Sequence, residues 1–310
     1  MNFPKLSDSF RLERLTLPEG QLRVVIDTDT FNEVDDQFAV AHALLSPERM
    51  AVEALYAAPY FNQRSSSPKD GMEKSYQELH TLLGRLGKPS EGLVYAGSTD
   101  YLSSSELPQE SEVARDLVKR AMSSKEPLYV MAIGAITNIA SAILLEPQII
   151  ERIVVVWLGG HALHWPHTRE FNLKQDIHAS RIILDSGVPL VLIPCLGVAS
   201  HLILSISELE TFAKTCGAMG EYLVNTIASA RHEHAQHRAW SRIIWDISAS
   251  AYFIDDAWVP TEFKPSPLLS SEFTWSFDGS RPLIRVANMV WRDAIFSDLF
   301  QKLAVHAQKL

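Results

Sequence analysis

Residues 22–45 read LRVVIDTDTFNEVDDQFAVAHALL, and this stretch decides the fold. It opens with an apolar, β-branched run over 22–26 that stops at aspartates, as a buried strand does. Apolar residues then recur at helical spacing over 36–45, with acidic residues in the first turn, where the helix dipole favours them. The stretch therefore predicts a buried strand, an acidic loop and a helix.

The same alternation continues along the chain. Further strands are predicted at 50–58, 127–133, 153–158 and 188–194, and helices at 71–87, 137–145 and 177–186. After residue 205 the pattern is mainly helical to about 257, followed by a β-like stretch at 283–290 and a closing helix. Apolar strands alternating with helices predict an α/β fold with an open, mostly parallel, Rossmann-like sheet and helices on both faces.

The domain organisation follows from the same pattern. Residues 1–20 lack clear periodicity and are predicted to form an N-terminal arm, and no linker interrupts the remainder. We therefore expect one α/β domain over 21–310.

Composition limits the cellular setting. The 310 residues are 46% hydrophobic and 21% charged, as in an ordinary globular protein. The two cysteines, Cys195 and Cys216, suggest no disulfide framework, and the start of the chain has no signal-peptide pattern, so a cytoplasmic protein is predicted. No apolar run approaches the ~20 residues of a membrane helix, which predicts no membrane partner.

Charge limits the ligand. The net charge is −9, and no stripe of lysine and arginine occurs, so binding to nucleic acid is not expected. A small molecule is the favoured partner, and the acidic balance predicts a bound cation.

The first strand–helix junction, DTDTFNEVDD, carries four carboxylates: Asp27, Asp29, Asp35 and Asp36. In an open parallel sheet such junctions form the ligand crevice. Four carboxylates in a partly dry crevice repel one another unless some are protonated or a hard cation with oxygen ligands lies among them. Phosphatases of the haloacid dehalogenase type also follow an apolar strand with an aspartate pair, but Phe31 and the adjacent pair of aspartates do not fit their pattern.

Five sequence blocks in order resemble a known family. They are VVIDTDTFNEVDDQFAVAHAL, VMAIGAITNIASAILLEPQI, VVVWLGG, EFNLKQDIHAS and IIWDISA, and together they span roughly residues 20–260. The chain is similar in these blocks to the inosine–uridine-type nucleoside hydrolases, whose opening signature is DxDxxxDD followed by a helix. The resemblance implies hydrolysis of the N-glycosidic bond of a ribonucleoside or related riboside, and a homo-oligomer, a dimer or tetramer.

The resemblance also implies a calcium site. Asp29, Asp36 and Asp246 match the family's carboxylate ligands of Ca²⁺, and Thr137 matches the residue that offers its backbone carbonyl. Oxygen-only ligands suit calcium. Asp29 further matches the general base that acts on the calcium-bound water. Thr137, with Asn138, could also cap the helix that follows.

Four further positions match groups that hold the ribose hydroxyls in that family: Asp35, Asn62, Glu170 and Asn172. Carboxylate and amide oxygens around the sugar would stabilise the oxocarbenium-like cation that forms when the glycosidic bond breaks. The alternative to an enzyme is a calcium-dependent protein that binds ribosides without turnover.

The chain departs from the family pattern near the leaving group. The opening loop is two residues longer than DxDPGxDD, and His164 stands where many members have asparagine. Trp245 stands where a histidine linked to leaving-group protonation is found; an indole can stack on a base but cannot act as an acid at neutral pH. Another acid is therefore expected, with His161, His164, His232, His234 and His237 as candidates.

Overall fold

Eight strands form the central sheet of the computed structural model, which describes residues 3–230 and 240–309. Numbered in chain order over these ranges, the strands are β1 Leu22–Thr28, β2 Met50–Ala57, β3 Val94–Ala96, β4 Leu128–Ala132, β5 Ile153–Leu158, β6 Leu190–Ile193, β7 Ile203–Ser205, β8 Ser241–Ile243, β9 Thr261–Pro265, β10 Leu268–Leu269, β11 Trp275–Ser276 and β12 Leu283–Ala287. The sheet has the order β3-β2-β1-β4-β5-β6-β12-β9. Its neighbours are parallel except for β9, which pairs antiparallel with β12. The expected open, mostly parallel α/β sheet is confirmed.

The helices of the described ranges cover both faces of this sheet. They are α1 Asp8–Arg14, α2 Asp36–Leu44, α3 Pro68–Arg85, α4 Glu112–Met122, α5 Thr137–Leu145, α6 Phe171–Gln175, α7 Ile177–Asp185, α8 Ile206–Phe212, α9 Gly217–Ser229, α10 Ile247–Ile254 and α11 Arg292–Ala307. Side chains of β1 alternate between two buried clusters. Val24 and Ile26 pack with α2, α3, α9, α10 and α11, whereas Val25 packs with α4, α5 and α7. This period of two is what a strand covered on both faces requires.

The strand order places a crevice beside β1. From β1 the chain builds outward through β2 and β3 on one side, then returns to build β4, β5 and β6 on the other. The loops after β1 and β4 therefore leave the sheet in opposite directions, and ligands of open α/β sheets bind at such a reversal.

The predicted elements of the first two-thirds of the chain are present with small shifts at their ends. Helix α3, predicted at 71–87, begins at Pro68 instead, because Ser67 caps it and a proline is tolerated in the first turn. The region after residue 205, predicted as mainly helical, also contains β8, which pairs antiparallel with β7. Strand β9, on the edge of the sheet, was not predicted from the sequence.

The segment predicted as an arm carries structure of its own. Ser7 caps α1, and Leu15 at the end of this helix is 1% exposed within the core. The Arg11 guanidinium donates to the carbonyl of Gly187, and Arg285 donates to the carbonyl of Leu15. The segment therefore lies against the domain.

No helix in the described ranges is long and apolar enough to span a membrane.

Candidate active site

A cavity of about 280 Å³, here called the inner cavity, opens at the carboxyl-terminal edge of the sheet. The loops after β1, β4, β5 and β6 meet there and contribute Asp29, Ile133, His161 and Cys195, among others. A second cavity of about 630 Å³, the outer cavity, adjoins it and shares Asn32, Glu33 and Phe171 with it. Most of the residues singled out from the sequence line one of these two spaces: Asp29, Asp35, Asp36, Glu170, Asn172, Trp245 and Asp246 the inner one, and Asn62 the outer one.

Asp29 and Asp36 are positioned by the first strand and helix. Asp29 follows directly on the last residue of β1, and Asp36 is the first residue of α2. Each is 1% exposed. The hydroxyl of Thr28 donates to Asp36 Oδ1 at 2.5 Å, which orients this carboxylate at the strand end.

Helix packing brings a third acidic segment to the same place. Asp246 precedes α10, which packs against α2. Oxygen atoms of Asp35, Asp36 and Asp246 all lie within 4.8 Å of one another. The backbone N–H of Trp245 donates to Asp35 Oδ2 at 3.1 Å and ties the two segments together across 210 residues of sequence. The tightest carboxylate group therefore includes Asp35, which the family resemblance assigns to the sugar, with Asp29 beside it.

The electrostatics of this group are unfavourable without a counter-charge. Burial, followed by repulsion from neighbouring carboxylates, raises the pKa of Asp29, Asp36 and Asp246 well above the usual carboxyl range. Burial and then Glu33 raise the pKa of Asp35 to about 6, although Arg242 opposes the shift. Buried carboxylates of this kind are normally protonated, paired or bound to a metal.

The donor set fits a hard divalent cation. Its ligand atoms are carboxylate oxygens, the kind that Ca²⁺ and Mg²⁺ prefer. Two arginines are near, but Arg242 already forms an ion pair with Glu33 at 2.6 Å, and Arg169 is exposed at the rim. A cation among the carboxylates would offset the cost of holding several buried negative charges together.

Thr137 and Asp27 are buried and line neither cavity. Thr137 is fully buried as the first residue of α5, and its hydroxyl donates to Asp176 Oδ2 at 2.8 Å. Asp27 Oδ1 accepts from the amide of Asn138 at 2.8 Å, and burial raises the pKa of Asp27 to about 7. Neither Thr137 nor Asn138 caps α5 with its side chain, because Ile136 occupies the cap position.

Glu170 and Asn172 are held by backbone groups on the other wall. The Glu170 carboxylate caps α6 by accepting from the N–H groups of Asn172 and Leu173, and it also accepts from the N–H of Gly160 at 2.9 Å. Gly160 has φ +67°, and a Cβ atom there would lie 2.6 Å from Thr168 Oγ1, so glycine is required. The Asn172 amide nitrogen donates to the carbonyl of Ile133, directly after β4, and to that of Leu158, the last residue of β5. Its Oδ1 is therefore left to accept from a ligand.

Asn32 connects the two cavities, and sequence reasoning did not single it out. Its amide donates to Asp29 Oδ2 at 3.3 Å, while its Oδ1 accepts from the Asn62 amide at 2.5 Å. Asn32 lies in the loop that is two residues longer than the family pattern, next to Phe31, whose φ of 81° is strained for a non-glycine residue. The added length of the loop was the signal available in the sequence; the strained backbone of Phe31 is visible only in the structure.

The candidate histidines occupy different places. His161 lines the inner cavity and is 7% exposed, whereas His164 is exposed on the following loop and contacts Trp165. His232, His234 and His237 lie outside the described residues. Trp245 is half-buried and lines the inner cavity.

Cys195 borders the candidate site and is not only a packing residue of the core. It lines the inner cavity and is 6% exposed. Burial, followed by Glu170, raises the pKa of the Cys195 thiol well above its usual range. The sulfur therefore stays protonated and is no nucleophile at neutral pH.

Comparisons with known proteins agree with this fold and identify the family. The model of the inosine-uridine preferring nucleoside hydrolase family matches residues 24–272, and the chain belongs to that family. This membership sets aside the phosphatase alternative.

Relatives are distant but cover nearly the whole chain. A pyrimidine-specific ribonucleoside hydrolase RihA of Citrobacter koseri is 24% identical over 92% of this chain and 99% of its own length. The solved purine-preferring ribonucleoside hydrolase from Gardnerella vaginalis has a TM-score of 0.74 at 20% identity, covering 93% of this chain and 100% of that one. A plant nucleoside hydrolase has a TM-score of 0.72 at 18% identity over 91% and 99% of the two chains. The structural likenesses establish the α/β fold.

Proposed function

We propose that this protein hydrolyses the N-glycosidic bond of ribonucleosides, releasing ribose and a base, with a bound Ca²⁺ and with Asp29 as the general base. The observation that carries the proposal is the buried group of Asp29, Asp35, Asp36 and Asp246 at the reversal point of the sheet, in a chain of the nucleoside hydrolase family. Such a group is costly unless a cation is bound in it.

Asp29, Asp36 and Asp246, with the backbone carbonyl of Thr137, would hold the cation. Asp35 belongs to the tightest carboxylate group and is a further oxygen donor within reach. When bound, the cation supplies Lewis acidity that makes a water more acidic and orients the sugar. Calcium is preferred over magnesium because the donors are mostly protein oxygens, whereas Mg²⁺ usually keeps several waters.

Asp29 would remove a proton from the attacking water. Its Oδ2 accepts a hydrogen bond from Asn32, so the carboxylate is oriented and Oδ1 remains to take the proton. The water oxygen forms the new bond to the anomeric carbon, and the C–N bond breaks with its electron pair going to the base. General base assistance of this kind contributes about 10²–10⁴-fold to the rate.

The sugar is held by oxygen acceptors. Asp35, Glu170 and Asn172 line the inner cavity, and Asn62 meets it through Asn32. Sugar hydroxyls donate to such groups, and the negative charges stabilise the positive charge that develops on the ribosyl ring. A sugar that lacks a hydroxyl leaves these buried groups unpaired, so it is discriminated against.

Trp245 is assigned to the leaving group. Its indole offers a stacking face beside the carboxylates, and the outer cavity provides room for groups beyond the sugar. The indole has no proton to give at neutral pH, so substrates with good leaving groups should be favoured.

A substrate panel assayed by released reducing sugar tests this function. The panel contains inosine, uridine, a nitrophenyl riboside, and the 2′-deoxy and 3′-deoxy analogues of the nucleosides, each with calcium and with a chelator. We expect release from the ribosides, loss on chelation with recovery on adding Ca²⁺, and much poorer cleavage of the deoxy analogues. Equal kcat/KM for ribo and deoxy substrates would remove Asp35, Asn62, Glu170 and Asn172 from the sugar site.

The same panel separates the enzyme from a binding protein. If no riboside releases sugar while calorimetry detects calcium-dependent binding of nucleosides, the protein is a binding protein that has lost turnover. If calorimetry also detects no binding, the ribose site itself is refuted.

A further inference from the structure

His161 is held rigidly at the end of β5 with its ring at the inner cavity. Its backbone N–H donates to the hydroxyl of Thr168 at 2.9 Å, and its carbonyl accepts from the indole N–H of Trp275 at 3.1 Å. The side chain is 7% exposed and belongs to the cavity lining. A residue anchored on both sides of its backbone presents its side chain with little conformational freedom.

The contacts of the ring determine its tautomer. The backbone N–H of Leu196 donates to Nδ1 at 3.3 Å, so this nitrogen is the acceptor. A neutral imidazole carries one proton, which must then be on Nε2. The Gly160 backbone also interacts with the ring and opposes the fall in its pKa, but no side chain among the described residues accepts from Nε2, so its N–H is available to a ligand of the cavity it borders.

The ring is neutral at physiological pH. Burial, followed by the nearby His167, whose ring centroid is 5.6 Å away, lowers the pKa of His161 to about 4. His161 is thus a hydrogen-bond donor and not an acid that transfers a proton at pH 7.

The chemistry of the cavity indicates which part of a substrate needs this donor. The sugar hydroxyls are donors, and the inner cavity already offers them the acceptors of Asp35, Glu170 and Asn172. The departing base instead gains negative charge as the C–N bond breaks, and acceptors cannot stabilise it. Trp245 contributes a face for stacking but no acid.

We propose that His161 donates its Nε2–H to the departing base and stabilises its negative charge by a hydrogen bond, without proton transfer. This inference rests on the proposed riboside hydrolysis and names the group that assists its leaving group. The base takes its proton from solvent after release, so the electron pair of the broken bond stays on the base in the rate-determining step.

The test compares substrates with poor and good leaving groups in three variants. His161→Phe removes the donor, His161→Gln keeps an N–H donor at similar reach, and His201→Gln, at an exposed histidine outside both cavities, is the control. For inosine and uridine we expect His161→Phe to lose about 10- to 100-fold in kcat, the range for a hydrogen bond to a charged group. For a nitrophenyl riboside, whose leaving group needs no help, the loss should be under about threefold, and His161→Gln should recover most of the inosine activity.

An equal loss on both kinds of substrate would overturn the proposal, because a sugar contact or a structural role acts on both alike. Full activity of His161→Phe on inosine would also overturn it. A wild-type protein that cleaves none of the ribosides refutes the hydrolase itself and the role of His161 with it, which separates the two failures.

A second measurement tests the proposal even if the His161→Phe variant does not fold, because it uses the wild-type protein. In ¹⁵N NMR of the wild-type protein at pH 7, the His161 ring should be neutral with its proton on Nε2, and this signal should move when the base is added with ribose. A doubly protonated ring, or a proton on Nδ1, contradicts the proposal.

Discussion

At the scale of single residues, Asp29 combines three features that are seldom found together. It directly follows β1, it is almost fully buried, and it accepts a hydrogen bond from Asn32. Each of these three features suits a carboxylate that holds a cation and removes a proton from water. None is needed by an aspartate that only forms a turn.

We predict that Asp29→Asn lowers kcat by about 10²–10⁴-fold, because an amide cannot take the proton from water. The amide oxygen can still be a metal ligand, so elemental analysis should find calcium retained at least in part. Asp278→Asn, on an exposed turn, is the control and should behave as wild type. Near-normal kcat for Asp29→Asn on a verified substrate would remove Asp29 from the mechanism.

Trp245 gives a second prediction at this scale. The wild-type protein should cleave a nitrophenyl riboside far better than inosine or uridine, because no histidine stands before Asp246 to protonate the base. Trp245→Ala should chiefly raise KM through lost stacking, by about 2- to 10-fold for an aromatic pair worth 0.5–1.5 kcal/mol. Trp291→Ala, an exposed tryptophan outside the cavities, serves as the control. Equal rates of wild type on activated and natural ribosides would show that the missing histidine does not matter.

At the scale of elements, the long loop between β1 and α2 does more than join them. Its strained residue, Phe31, allows the chain to turn so that Asn32 lies between Asp29 and Asn62. The loop thereby replaces a short Pro-Gly turn with a polar link between the inner and outer cavities.

We predict that Asn32→Ala lowers kcat by about tenfold or more, because the Asp29 carboxylate loses a hydrogen bond to a charged group. The Asn62 amide loses its acceptor at the same time, so KM should rise modestly. Kinetics on inosine check both values, with Asn225→Ala on the exposed face of α9 as the control. An unchanged kcat for Asn32→Ala would mean that Asp29 is oriented by other groups.

Helix α1 gives a stability prediction. Leu15, 1% exposed, packs in the main core, while Leu12 on the same helix is 39% exposed. Leu15→Ala should lower the free energy of unfolding by about 2–5 kcal/mol, and Leu12→Ala by less than about 0.5 kcal/mol. Urea denaturation measures both. If Leu15→Ala lowered the free energy of unfolding as little as Leu12→Ala, residues 1–20 would be an arm that contributes nothing to the domain.

At the scale of the whole molecule, cation binding by the carboxylate group would be coupled to folding. Its members come from the β1–α2 junction and from the start of α10, so the site exists only when the sheet and both helices are assembled. A cation that binds the folded chain and not the unfolded one must stabilise the fold.

We therefore predict that calcium at 100 times its Kd stabilises the chelator-treated protein by about 2.7 kcal/mol. A protein of this size should then unfold several degrees higher, as measured by calorimetry. Asp246→Ala should abolish the shift, while Asp278→Asn should keep it. If the melting temperature is the same with calcium and with chelator, the carboxylate group is no cation site.

A cytoplasmic location and a homo-oligomer stay predictions from the sequence.

The sequence by itself determined the fold class and supplied the residues to which the proposed chemistry is assigned. The β-branched run before Asp27, the helical spacing after Asp36 and the regular alternation that follows are local patterns, and local patterns set strands, helices and their buried faces. The five ordered blocks indicated the family. The sequence did not predict the short strands β7, β8 and β9 or the packing of α1. These elements are stabilised by contacts with residues far along the chain rather than by their own periodicity.

Only the tertiary structure decided how the site is arranged. That Asp35 joins Asp36 and Asp246, that Asn32 contacts Asp29, and that His161 rather than His164 borders the cavity depend on which loops the strand order brings together. The bond between Trp245 and Asp35 spans 210 residues, and no local pattern contains such a distance. A sequence carries the side chains and their periodicity, whereas distances between carboxylates, and with them the pKa values and the room for a cation, arise only when the elements pack.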